Sequence, residues 1–458
     1  MPKNRKYPTL YVKNFAKIKE AEIELAPFTL FIGDNNSGKS YLASLIWYIQ
    51  SSNLLIFDMY RQYKNEYKEY KFLNDLCNKI INNEKFEIKI DNNIIDECIE
   101  LFNIMLKNRK NKILEELFNF KDIKIDKLMV YKADIDYNIK INSNILENEN
   151  KKNKLFNIKF KYSYGRRQII SEIRGNDIKK RIFFTLFEVI IDIILFSTRY
   201  FNKLFLPVAR TGFLLLKDTV MDKAFDTLFD NKLEKKETVK LTKPLENFIR
   251  KLSMLRSEDE KNNNIINFIE NYIIRGKIYL DKMPSPQIHY KSNNSDMDFQ
   301  MHVSSAVITE LAPLILFLKY SRYNENIIME EPEISLHPYL QQQLTRVFIK
   351  SVNSGKNVLI TTHSDTIVQH INNMIKLNAN EKKRQKKLME KYKYDEDDII
   401  SEDKIRMYQF DTKEDGTEVK ALESSKYGFE APTFHKYLVE VSKEFDDFIE
   451  NIGENNSI

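Results

Sequence analysis

Apolar and polar positions alternate over residues 9–32, in TLYVKNF, AEIEL and FTLFIG, and this period of two predicts three short strands with a break at Ala26 and Pro27. A helix is expected from Lys39 to about Ser51. From about Leu54 to Tyr162 glycine is absent; residues 58–82 and 93–119 read as helical, while DIDYNIKI and LFNIKFKYSY read as strands around a polar loop at 142–154. Residues 182–198, IFFTLFEVIIDIILFST, are short for a bilayer span and carry Glu188 and Asp192 four apart. On a helix those acids share one face, so a buried helix with one polar stripe is expected. KLFLPVARTG (203–212) reads as a strand ending in a turn. From residue 300 to 375 strand and helix alternate three times, which argues a parallel sheet covered by helices. EKKRQKKLMEKYKYDEDD (381–398) reads as a solvated helix or linker, with Asp395 to Asp398 in water; its basic cluster as a nucleic-acid contact is the lesser reading. Two strands, IRMYQF and TEVKAL, then a helix from about Thr433, complete an α/β pattern. There is no repeat of fixed period and no sustained heptad, so a long coiled-coil arm is not expected.

Composition narrows the class. The 458 residues carry 72 Lys and Arg against 66 Asp and Glu, a net +6 that excludes a polycationic nucleic-acid coat but leaves a local basic groove open. Two cysteines, Cys77 and Cys98, exclude a disulfide framework and Cys-rich zinc ribbons and suit a reducing cytoplasm. MPKNRKYPTLYVKNF has no apolar run or cleavage site of a signal peptide, and no membrane partner is expected.

Four segments carry chemistry. Gly33-Asp34-Asn35-Asn36-Ser37-Gly38-Lys39-Ser40 fits G-x-x-x-x-G-K-[ST] between an apolar strand and a helix. There glycines let backbone N–H groups face phosphates, Lys39 supplies a point charge and the Ser40 hydroxyl suits Mg²⁺. IIMEEPE (327–333) ends an apolar strand in carboxylates; Glu330 is expected to hold Mg²⁺ through water, and Glu331 to orient and deprotonate an attacking water. VLITTHS (358–364) ends a second strand in His363, placed to report a γ-phosphate. Ser304 or Ser305, in HVSSAV, is expected to cap the helix through Tyr320, and a capped helix end is an anion site.

Together these segments resemble the ABC/SMC-like ATPase family, which includes the RecF-like and OLD-type ATPases. The phosphate loop is similar to Walker A, IIMEEPE to Walker B, EISLHP (with His337 and Pro338) to the segment after it, and TTHS to the switch-histidine motif. VSSA is similar to the signature motif, with Ala306 where that motif usually has Gly; Gln50 and Gln62 are the candidates for the Q-loop glutamine. The resemblance implies ATP and Mg²⁺ as ligands and an ATPase head with a mixed, mainly parallel sheet and a helical and mixed insertion. The implied division is 1–53 with Walker A, 54–200 as the insertion, 201–300 as a second part of the head, and 301–458 with the remaining motifs. It also implies a homo-oligomer, at least a dimer, in which the signature serine of one chain completes the ATP site of another.

A narrower resemblance, in GDNNSGKSYLA, LPVARTG and YGFEAPTF (427–434), is to the ATPase subunit of PARIS-type phage-defence systems. It implies a cytoplasmic sensor or scaffold that holds a separate effector, a TOPRIM-type nuclease among the candidates, until a phage-encoded trigger protein releases it. The alternative is a RecF-like ATPase that clamps DNA in repair or recombination.

Overall fold

The computed structural model describes residues 5–51, 70–82, 85–135, 137, 139–147, 156–164, 167–173, 178–196, 203–217, 241–260, 264–283, 286–295, 297–321, 326–431 and 439–448. The chain begins with β1 (Thr9–Phe15), β2 (Ile18–Glu24), β3 (Phe28–Gly33) and α1 (Lys39–Gln50). It continues through α2 (Lys71–Asn82), β4 (Lys85–Lys89), α3 (Asn92–Phe118), β5 (Lys127–Tyr131), β6 (Ile139–Glu147), β7 (Phe156–Tyr164), β8 (Arg167–Ile173) and α4 (Ile178–Phe196). Then come β9 (Lys203–Leu206), α5 (Lys243–Ser253), α6 (Asn264–Phe268), β10 (Gly276–Leu280), β11 (Ile288–Ser292) and β12 (Asp298–Gln300). The last part holds α7 (Ala306–Tyr320), β13 (Asn326–Glu330), α8 (Pro338–Asn353), β14 (Val358–Thr362), α9 (Asp365–Ala379), α10 (Lys382–Tyr392), β15 (Ile405–Lys413), β16 (Gly416–Ala421), β17 (Ser424–Ser425) and β18 (Gly428–Phe429).

Among the described residues the frame is a nine-stranded sheet in the order β5-β1-β2-β16-β15-β3-β14-β13-β9. The five strands from β15 to β9 run parallel, whereas β1 pairs antiparallel with both β2 and β5, and β16 pairs antiparallel with β15. The expected α/β fold with a mixed, mainly parallel sheet is therefore what the chain adopts. Residues 127–131, inside the stretch expected as an insertion, supply its edge strand.

Strand alternation divides the core between the two faces. Phe31, Phe205, Ile328 and Leu359 pack with α1, α3 and α4, while Leu30, Ile32, Ile327, Met329, Val358 and Ile360 pack with α7, α8 and α9. Each such side chain taken from water contributes about 1.5–3 kcal/mol, so the parallel strands need apolar residues on both sides. Helix starts follow local chemistry: Pro338 opens α8 at its first position, and the Ser364 hydroxyl accepts from the Ile367 N–H at 3.2 Å to cap α9. In the tail, Asn372 of α9 accepts from the Phe429 N–H at 2.8 Å and donates to its carbonyl at 2.9 Å.

α4 is the apolar run that carries Glu188 and Asp192, and its other side chains are largely buried. Asp192 is itself buried and faces the buried Lys203, so the polar stripe carries an ion partner instead of solvent. Among the described residues no helix is long and apolar enough to cross a membrane. Cys77 and Cys98 are both free and buried, and burial pushes the Cys77 thiol up to about 12.

Two expectations need correction. The strand near residue 300, β12, does not join the parallel sheet; it pairs antiparallel with β11 in a separate three-stranded sheet. Asp398 is not solvated: it is fully buried, and Arg346 donates to it at 2.9 and 2.7 Å while Lys350 lies at 3.1 Å. α10 before it is the expected exposed helix.

Candidate functional site

The C-terminal ends of β3, β14, β13 and β9 lie side by side and carry the loops that hold the chemistry. After β3 the chain turns through Gly33 (φ 119°), Asn36 (φ 55°) and Gly38 (φ 96°) into α1. A Cβ on Gly33 would lie 2.2 Å from the Phe410 carbonyl oxygen, so the loop starts against β15 and only glycine fits there. Asp34 fixes that contact in both directions, donating from its N–H to Phe410 O at 3.1 Å and accepting from Thr412 N–H at 2.9 Å. Asn35 and Asn36 at the tip are exposed.

Lys39 is buried with its ammonium folded under the loop, donating to Gly33 O at 3.0 Å, Asp34 O at 2.5 Å and Ser37 Oγ at 3.3 Å. Burial lowers its pKa to about 8, against the pull of Glu331, Asp34 and Glu333. Ser40, next in the helix, hydrogen-bonds the Glu330 carboxylate. Glu330 also accepts from the Val208 N–H at 3.3 Å, and burial pushes its carboxyl above the ordinary value.

Glu331 follows the strand in a left-handed conformation, φ 40°, with its N–H held by Thr361 O at 2.8 Å. Its carboxylate lies 3.8 Å from His363 Nε2, and both side chains remain partly open to solvent. Burial and the neighbouring Lys39 charge lower the His363 pKa; Glu331, Asp34 and a hydrogen bond to the Gly33 backbone oppose them. The imidazole is thus neutral at physiological pH and touches both the loop and the acids. Beneath it, Glu333 accepts from the His363 N–H at 2.6 Å.

A divalent cation fits here. Glu330 and Thr361 continue the faces of Ile328 and Leu359, which pack with α1, so both point under the start of that helix. The Thr361 hydroxyl is buried without a hydrogen-bond partner, and the Glu330 carboxylate faces the Ser40 hydroxyl. An oxygen-ligated ion with bound water suits that donor set.

The structure thus gathers Gly33 to Ser40, Glu330, Glu331 and His363 at one edge. It does not bring Ser304 and Ser305 to them: Ser305 is exposed at the backbone cap of α7, without a side-chain capping bond, and the Ser304 hydroxyl donates to Gln300 O at 3.4 Å. Gln50 ends α1 and is buried; Gln62 lies outside the described residues. His337 and Pro338 start α8, exposed beyond the acidic turn.

Sequence reasoning missed Arg210. Its guanidinium is fully buried and donates to the carbonyls of Pro207 (3.0 Å), Glu330 (2.7 Å) and Glu331 (3.1 Å), with Glu310 as its counter-ion at 2.5 Å. The available signal was an arginine placed directly after an apolar strand in LPVARTG.

Residues 8–368 match the AAA ATPase domain family. No curated protein matches the chain. Among solved structures it is similar to an Smc head bound to the C-winged helix domain of ScpA, at 12% identity over 92% of this chain and 98% of that one, with a TM-score of 0.37. It is also similar to the SMC head domain from Thermotoga maritima (10% identity, 92% and 99% covered, TM-score 0.32). A third is an Smc head with an extended coiled coil bound to the C-terminal domain of ScpA from Pyrococcus furiosus (11%, 96% and 99%, 0.35). These likenesses are distant.

Proposed function

Because the chain belongs to the AAA ATPase domain family, we propose that this edge of the sheet is a Mg²⁺-dependent ATP-hydrolysing site. The observation that carries the reading is the Glu331–His363 pair, 3.8 Å apart beside the Lys39 ammonium. Lys39 exchanges its bonds to Gly33 O and Asp34 O for the β- and γ-phosphates, whose oxygens the loop N–H groups also meet. Ser40 and Glu330 would hold Mg²⁺, which when bound neutralises charge building on the β- and γ-oxygens. Glu331 orients the attacking water and takes its proton; the neutral His363 ring sits where it registers the γ-phosphate.

The exposed position of Ser305, away from its own chain's loop, supports a dimer in which a second copy supplies that serine. The resemblances in LPVARTG and YGFEAPTF support the finer role: a cytoplasmic defence sensor that controls a separate effector in response to a phage trigger. Such a role requires nucleotide-dependent contacts with another molecule. The enzymatic test is Lys39→Ala beside Glu331→Gln. Lys39→Ala should lose ATP affinity, whereas Glu331→Gln should bind ATP and hydrolyse it about 100-fold or more slowly, since an amide accepts no proton. Hydrolysis by Glu331→Gln at the parent rate would refute the base assignment. The cellular test is phage challenge with and without the neighbouring gene product; full protection from this chain alone would overturn the effector reading.

A further inference from the structure

Glu331 sits at φ 40°, a left-handed backbone geometry that an L-residue rarely holds, so surrounding contacts must impose it. Two groups do. Thr361 O fixes its N–H from β14, and Arg210 fixes its carbonyl from the start of the helical segment 210–217 that follows β9. The same guanidinium holds the preceding carbonyl, that of Glu330, so consecutive peptides at the end of β13 hang from one side chain. A guanidinium with no exposed surface depends on its counter-ion for its own place, and that ion is Glu310. Glu310 lies one turn into α7, is gripped on its other oxygen by the Thr211 hydroxyl, and also accepts from Arg210 Nε through its backbone carbonyl at 3.3 Å.

We infer that Arg210 is a positioning residue for hydrolysis: it sets the Glu331 carboxylate through the backbone, and Glu310 ties that setting to the first turn of α7. This rests on the reading of Glu331 as the base. The helix begins one residue after Ser305, so a shift of its end, such as a second chain's nucleotide drawing on that serine, moves Glu310, then Arg210, then the Glu331 peptide. Arg210 touches no substrate; it acts through Glu331. Lysine at 210 keeps the charge but, with one nitrogen, cannot span both carbonyls and the Glu310 carboxylate.

The test measures Arg210→Lys and Glu310→Gln for melting temperature, Kd of a non-hydrolysable ATP analogue and kcat, each alone and combined with Glu331→Gln. The expected result is a Kd within about threefold of the parent with kcat lowered about 100-fold, the loss that roughly 1 Å of misplacement produces. Added to Glu331→Gln, either change should lower kcat no further. Glu310→Gln should lower Tm under either reading, since it breaks a buried ion pair; a purely structural role would also lower affinity with kcat and stay additive with Glu331→Gln, which would overturn the inference. So would parent-rate turnover in both variants while Glu331→Gln is slow, an outcome that leaves the ATPase reading standing. Parent-rate turnover in Glu331→Gln would remove the base assignment and the inference with it. Should Arg210→Lys not fold, Glu310→Gln, which keeps size and shape, decides.

Discussion

Burial leaves Lys39 partly stripped of its charge before any nucleotide arrives. Its pKa of about 8 means that at pH 8.5 only about one-quarter of the chains carry the ammonium, against about nine-tenths at pH 7. A triphosphate at contact distance restores the charged form by direct attraction. ATP binding should therefore take up about three-quarters of a proton at pH 8.5 and about one-tenth at pH 7. Because only the charged form binds well, affinity should fall about fourfold over that interval. The sign is that of a depressed lysine: charge, and with it binding, is lost as pH rises through about 8. At pH 8.5 His363, whose pKa burial lowers, stays neutral; at pH 7 a γ-phosphate beside it attracts a proton there too, so the uptake at pH 8.5 is the one that reads Lys39. Calorimetric titration with a non-hydrolysable analogue, in two buffers of different ionisation enthalpy, measures the uptake directly. Lys39→Arg, which stays charged, should bind with the uptake abolished. Uptake below about 0.2 proton at pH 8.5 in the parent, or equal uptake in Lys39→Arg, would refute the reasoning.

Three further outcomes are expected. Lys39→Ala and Ser305→Arg chains, each inactive, should regain activity when mixed, one composite site per dimer; a parent that stays fully active as a monomer on dilution would count against this. Gly33→Ala, which sets a Cβ 2.2 Å from Phe410 O at φ 119°, should lower unfolding stability in urea by about 2–3 kcal/mol, and an unchanged midpoint would show the loop yields there. Asp398→Asn should destabilise by about 3 kcal/mol or more by leaving Arg346 and Lys350 buried beside a neutral group. Burial pushes the Asp398 carboxyl up, but hydrogen bonds from Arg346 and the Asp395 backbone, with the Arg346 and Lys350 charges, hold it below 3.8. Its stabilisation is then present above pH 3.8 and lost below, so parent and variant should converge in acid; a constant gap would sink the assignment.

Where information is local, the sequence was legible. The alternation in TLYVKNF and FTLFIG, the glycine spacing of 33–40 and the acid-ended strand at 330 are each settled within a few residues, and β1, β3, α1 and β13 stand as expected. Arg210 was not legible because its partners, Glu310 and Glu330, lie 100 and 120 residues away and are met only once β9 and β13 pair. Asp398 was misread for the same reason: its neighbours in sequence are charged, while Arg346, 52 residues back, supplies the buried contact. The strand at 298–300 has a period, but nothing in a period states which sheet it joins.

The order of the central sheet also bears on how the protein is made. β3, which launches the phosphate loop, lies between β14 and β15, so its last neighbour begins at Ile405, 405 − 33 = 372 residues after Gly33. At about 5–20 residues per second of synthesis, that strand leaves the ribosome roughly 20–75 s before its frame is complete. Until residues 358–362 emerge both of its hydrogen-bonding edges are open, and the β15 edge stays open for the whole interval, a state in which chains join one another or need a chaperone. Asp34 has no Phe410 or Thr412 to hold it during this interval. A nascent or prematurely stopped copy thus bears the whole Gly33–Ser40 motif but lacks the strand that shapes it.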